Sequence, residues 1–219
     1  MGEVSSDEHF AVSLQADGVY RAVTGRLEIE IELAVGLINA GDALTADVVV
    51  TNKNIGHSFP PELRDFYEAW VEFTVTDDKG KTIFNSGFLK PNGYLDEAAH
   101  NYKTYLVRDD GSYNDVHHIW KTKIVAQNNA IQSGRSDVAR YQFTVPQAYG
   151  GALKLKARVQ YRRFTRVFQD YALGKSVDYP IVTMATAEYT MKVGENVPLE
   201  VNGAMPAWRR WNNYGIALF

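Results

Sequence analysis

The groups with which this chain of 219 residues could do chemistry are 5 histidines and 26 acidic residues, and it has no cysteine. His57 stands in residues 52–70, NKNIGHSFPPELRDFYEAW, between two apolar runs. Gly56 permits a tight turn, and Pro61 restricts the residue before it to extended geometry. The loop is therefore stiff, and a stiffly held imidazole can ligate a metal or carry a proton. The competing reading is a structural histidine whose nitrogens tie down the loop backbone. His100 lies in DEAAHNY beside Asp96 and Glu97, and His117 and His118 stand together before an apolar run. Adjacent residues on a strand point to opposite faces, so at most one of that pair joins a given site. The candidate ligands of a divalent metal are thus His57, His100, and His117 or His118, three imidazoles at strand ends. No HxH or HExxH spacing gathers them, so only folding can do so.

Arg64, Asp65 and Glu68 fit one helical turn, on which the carboxylates pair with the arginine. Asp109, Asp110, Gly111 and Asp115 invite a calcium reading, but they do not follow the EF-hand spacing and read better as a surface turn. There is no nucleotide loop, GxSxG elbow or glycosidase-like carboxylate pair. Without cysteine the chain itself cannot form disulfides, thiolate zinc sites, iron–sulfur clusters or a covalent CxxCH haem link. The formal charge is −3, with 23 basic residues well mixed among the acids. That balance leaves no nucleic-acid footprint. Only a local basic patch at Arg158, Arg162, Arg163 and Arg166 stands out.

The elements that must position these groups read as strands. Leu27, Ile29, Ile31 and Leu33 alternate with Glu28, Glu30 and Glu32, the period-two signature of a half-buried strand with a wet acidic face. Residues 44–50, 70–75, 82–84, 119–126, 140–145, 153–161 and 181–193 repeat the pattern. Asp77-Asp78-Lys79-Gly80 is a hairpin turn. Residues 85–118 form a long, weakly periodic region, with a helical turn expected within 95–105. Phe164, Val167, Phe168 and Tyr171 fall at helical spacing. Roughly eight strands without a βαβ rhythm predict an all-β fold, an antiparallel β-sandwich with long loops and a short C-terminal helical segment. The expected division is an N-terminal extension over 1–24, of which 1–19 reads as an extended lead-in, a sandwich domain over 25–204, and a linker or helix start over 205–219. No apolar run reaches the roughly 18 residues of a membrane span, and no signal peptide is visible. The abrupt aromatic end, RRWNNYGIALF, reads as the opening of a further element.

Arginine and aromatic side chains anchor interfaces, so Tyr161, Arg162, Arg163 and Phe164 are the first interface candidates, with Trp208 and Trp211 near the C-terminus. Taken in order, residues 52–70, the following VEFTVTDDKGKTIFNSG, residues 95–100, residues 131–134, Tyr161-Arg162-Arg163-Phe164 and the closing RWNNYGI form a pattern. It resembles the non-haem β domain of large multihaem c-type cytochromes of bacteria, in which a Gly-His-x-Phe-Pro loop joins two strands and a tetratricopeptide-like helical region follows. Pro61 departs from the smaller polar residue or threonine of relatives, and the haem-binding part is missing. The resemblance implies a periplasmic or extracellular protein whose partner is a haem-bearing domain or subunit. It makes His57 the residue that either approaches a haem, which a partner or a missing region would supply, or holds the loop. The expected function is a non-catalytic accessory or assembly domain. The alternatives are a metal-binding module or metal-dependent enzyme built on the histidines, and a carbohydrate-binding module using exposed tryptophan or tyrosine rings.

Overall fold

The computed structural model describes residues 10–16, 19–33, 36–53, 55–61, 63–175, 177–197 and 206–218. In chain order the elements are β1 (Phe10–Ala16), β2 (Val19–Leu33), β3 (Gly36–Leu37), β4 (Ala43–Lys53), β5 (Glu68–Thr76), β6 (Thr82–Ser86), β7 (Thr104–Arg108), β8 (Thr122–Asn128), β9 (Ser136–Thr144), β10 (Ala152–Arg162), α1 (Arg166–Leu173), β11 (Ile181–Lys192), β12 (Asn196–Val197) and α2 (Ala207–Ala217). Two four-stranded antiparallel sheets, ordered β1-β2-β4-β9 and β11-β10-β5-β6, make the sandwich. The pairs β12-β3 and β7-β8 form small ribbons beside them.

Alternation along each strand decides the core. In the first sheet Leu27, Ile31, Ala46, Val48, Val50, Ala139 and Phe143 point inward, and in the second Val71, Phe73, Val75, Leu155, Ala157 and Val159 do so. Each fully buried valine, leucine or phenylalanine contributes about 1.5–3 kcal/mol relative to exposure, so this layer dominates the stability of the domain.

The outer faces differ from expectation. Glu28 pairs with Arg26 at 2.7 Å and with Lys53, but Glu32 is buried rather than wet. The neighbouring strands carry a third layer: α2 lies over β4 and β9, and Tyr214 on α2 donates to Asp47 Oδ2, on the residue paired with Glu32, at 2.5 Å. Arg140 donates to both Asp47 oxygens at 2.8 Å. Burial works against the Asp47 carboxylate, but the hydrogen bonds from Arg140 and Tyr214 prevail and hold its pKa below the ordinary 3.8.

The second sheet is covered by chain rather than by a helix. Trp70, fully buried on its outer face, donates from Nε1 to Gly87 O at 2.8 Å. Gly87 has φ +74, and a Cβ there would meet Val71 O at 2.2 Å, so only glycine allows this approach. Residues 100–102 then run along β5, with Val71 N to His100 O at 2.9 Å and Tyr102 N to Ala69 O at 2.8 Å. Of the helical turn expected within 95–105, a single turn forms, Ala99 N to Asp96 O at 3.1 Å, and beyond it the sheet edge takes the backbone groups.

Three further boundaries move. Of the lead-in expected over 1–19, residues 1–9 lie outside the described residues, and Phe10 onward pairs as β1 with the start of β2. Residues 119–121 form a 3₁₀ turn ahead of β8. The expected helix is α1, capped by Thr165, whose side chain accepts from Phe168 N, and closed by left-handed Gly174. Its buried residues are Arg166 and Gln169, while Val167, Tyr171 and Leu173 are exposed. Among the described residues no helix is long and apolar enough to cross a membrane.

Candidate functional site

Residues 52–70 are held by a knot at Asn52. Its fully buried side chain donates from Nδ2 to His57 O at 2.9 Å and to Ile131 O at 3.0 Å. Its backbone N–H donates to Arg135 O, and its carbonyl accepts from Gly134 N. Phe59 and Ile131 exchange two backbone hydrogen bonds of 2.8 Å. The Phe59–Pro60 peptide is cis. The stiffness expected of this loop thus comes from its ties to residues 131–135 as well as from its prolines. His57 itself is exposed, with Nδ1 2.8 Å from Ser58 O.

The histidines have separate partners. His100 Nε2 lies 2.6 Å from Asp137 Oδ2, His117 Nδ1 lies 2.7 Å from Asp65 Oδ2, and His118 Nε2 lies 2.7 Å from Tyr171 OH. Among the described residues no group of three or more His, Asp or Glu side chains could hold a metal ion, so the geometry lends the metal reading no support. His117 and His118 sit in a turn before the 3₁₀ segment, and His117 has φ +59. The opposite-face rule of a strand therefore does not apply to them, and they diverge because of that turn. Asp65 and Glu68 do not pair with Arg64 as expected: Asp65 meets His117, and Glu68 meets Arg162. Burial raises the Glu68 pKa even against the pull of that arginine.

Asp65 leads into an aromatic cluster. The Phe66 ring stacks on Phe168 at 4.5 Å and on Phe164 at 5.6 Å, and meets His117 edge-on at 4.4 Å. Of the expected interface residues, Tyr161 is half-buried against Tyr67, and Phe164 belongs to this cluster. Arg162 is only 3% exposed and donates to Glu68 and to Gly93 O. Only Arg163 of the four is exposed. Trp208 and Trp211 on α2 are exposed.

An exposed apolar surface lies next to the cluster. Trp120 is 78% exposed, and His118 contacts both Trp120 and Tyr171, with ring centroids at 4.9 Å and 5.2 Å. Ile119, Val167 and Leu173 are exposed beside them along the 3₁₀ turn and α1. Helical spacing of Val167 and Tyr171 was a visible signal of the helix, but not of which face it leaves exposed.

A cleft of about 1260 Å³ opens where β6 and β9 form neighbouring sheet edges. Residues 97–101 and 127–132 wall it, and Ile216 and Ala217 at the end of α2 close one side. His100, Asp137 and Tyr141 reach it together. Tyr141 is 7% exposed, stacks on Phe73 at 4.7 Å, and its buried hydroxyl has no hydrogen-bond partner. Tyr102, wholly buried, meets His100 edge-on at 5.5 Å, and its hydroxyl lies near the Asp137 carboxylate. Burial, and after it the nearby Asp137 charge, raises the pKa of both phenols, so they are neutral donors at physiological pH. Asp137 and Tyr141 were invisible as site residues: one begins a strand and the other reads as core.

No protein-family model matches the chain, and no curated protein matches it. Among solved structures, the fold is similar to part of a penta-haem cytochrome c552 from Thermochromatium tepidum, with a TM-score of 0.54 over 74% of this chain at 15% identity. The match spans 39% of the cytochrome chain. AvmM, which catalyses macrocyclization in alchivemycin A biosynthesis, overlays with a TM-score of 0.38 at 12% identity, over 87% of this chain and 99% of that one, too loosely to inform the fold. The molecule is thus an all-β, antiparallel sandwich with long loops and a C-terminal helix, and it has a weak, partial structural likeness to a multihaem c-type cytochrome.

Proposed function

We propose that this chain is a non-catalytic accessory or assembly domain of a multihaem electron-transfer system working in the periplasm or outside the cell. The observation that carries the reading is the partial fold likeness to the penta-haem cytochrome. The chain has no cysteine, so any covalent haem belongs to a partner or another region. Its own part is positional. A rigid sandwich holds a surface of Trp120, Ile119, Val167 and Tyr171 against the haem-bearing partner, and exposed aromatic and apolar patches of this kind favour association.

The test is recovery of the affinity-tagged chain from its own organism, followed by haem staining of what co-purifies under denaturing conditions. A covalent-haem band is expected in stoichiometric amount, and it falls at least tenfold when Trp120→Ser and Tyr171→Ser are combined. Recovery of the folded chain with no haem-staining partner would overturn the reading.

A further inference from the structure

We propose that the cleft between β6 and β9 is a binding site for a neutral polyhydroxylated ligand, of the class of a short oligosaccharide. Its volume, about 1260 Å³, exceeds the roughly 300–1,000 Å³ of ordinary small-molecule pockets, which suits an extended ligand. Its lining is rich in amides: Asn101, Gln127, Asn128, Asn129, Gln132 and Gln142. Each amide carries both a donor and an acceptor, which is what a row of hydroxyls, themselves donors and acceptors, requires; Asn101, Asn128 and Asn129 also hydrogen-bond within the wall, so the three glutamines offer the freer groups. Gln127, Gln132 and Gln142 are exposed to the cleft's solvent.

The charges at the site argue for a neutral ligand. Glu97 and Asp137 stand against Arg135 and Arg140, and three of these four are engaged: Glu97 with Lys90, Asp137 with His100, Arg140 with Asp47. No single-sign field remains to draw a phosphate or a cation. An independent mark of a ligand is the Tyr141 hydroxyl, more than nine-tenths buried in the cleft wall and without a partner. Leaving such a group unsatisfied costs about 1–3 kcal/mol, and a hydroxyl of the ligand would satisfy it. Beside it, the His100–Asp137 pair offers a further fixed polar edge at 2.6 Å. Tyr105, half-buried in the same lining, supplies a ring against which the C–H face of a sugar can pack.

The experiment is isothermal titration of the full chain with neutral trisaccharides of differing linkage (maltotriose, cellotriose and tri-N-acetylchitotriose), with inorganic phosphate and an uncharged tripeptide as comparisons. At least one trisaccharide is expected to bind with a submillimolar dissociation constant, and neither comparison compound is. Gln127→Ala with Gln132→Ala, exposed positions that leave the core intact, should weaken that binding at least tenfold without moving the thermal midpoint. Tyr141→Phe should weaken it several-fold while the chain stays folded. No binding of any of the three by the folded chain overturns the proposal, as does unchanged affinity in the glutamine variant or tighter binding of phosphate or the tripeptide.

Discussion

The molecule makes a histidine–aspartate contact twice, and the two copies serve different ends. His100–Asp137 and His117–Asp65 close at 2.6 and 2.7 Å, and the imidazoles are about equally exposed. The difference lies in the carboxylates and the surroundings. Asp65 is buried, and its histidine packs edge-on against Phe66, the hub of the aromatic cluster. That pair staples the loop before β5 to the turn before β8. Asp137 is half-exposed, and its histidine borders a cleft with the unpartnered Tyr141 phenol nearby. Chemical identity therefore says little about role. The decisive quantity is whether the space beside the pair is filled with side chains or left open.

That contrast can be broken experimentally. The largest effect is expected from Phe66→Ala. Emptying the centre of the stapled cluster should cost about 3–5 kcal/mol, read as a lower denaturation midpoint, and cleft binding of a trisaccharide should persist where the variant is folded. A loss below about 1 kcal/mol would show that the cluster is not the structural half of the comparison. Next come the two carboxylates. Asp65→Ala removes the partner of His117 and a buried acceptor, and should cost about 1–3 kcal/mol. Asp137→Ala should cost less than about 1 kcal/mol, because its pair is substantially exposed, and its main effect should be on the cleft ligand. Equal losses of stability in the two variants would erase the distinction.

The smallest effect is one of pH. The Asp47 pKa is depressed in the folded chain by Arg140 and Tyr214, against the opposing effect of burial. Its contribution is therefore complete above the ordinary value of 3.8 and is lost as pH falls below that through the lowered one. Because α2 both rests on Asp47 and closes the cleft, its tryptophan fluorescence should change in that acid window before the sandwich unfolds. Tyr214→Phe should remove most of this early change. Fluorescence that moves only with global unfolding would mean that the helix is held by other contacts.

Much of the fold is legible along the chain because its signals are local. Leu27 to Leu33, Leu153 to Tyr161 and the valines of β4 alternate with the pleat, and Thr165 and Gly174 punctuate α1. The site is not legible to the same extent. His100 and Asp137 are 37 positions apart, and His117 and Asp65 are 52 apart. Nothing in the spacing of either pair encodes which carboxylate meets which imidazole. Arg162 reads as a surface anchor beside Arg163, yet its strand position turns it toward Glu68 and under residue 93. Glu32 reads as solvated from its alternation with leucine and isoleucine, yet it is buried in the folded chain. Conversely, the exposed Trp120 reads as the start of a strand, but a 3₁₀ turn throws it outward.

The amino-acid sequence by itself determined the all-β class, the alternating faces that make a core, the helix at α1 and the absence of any thiol chemistry. These follow from side-chain period, capping residues and composition, which act over a few residues. Only the tertiary structure decided that the Asn52 loop is tied to residues 131–135, that four candidate ligands have four separate partners, and that two sheet edges leave a cleft. Those outcomes depend on register between strands and on where long loops cross them, which the chain specifies only when its whole core is packed.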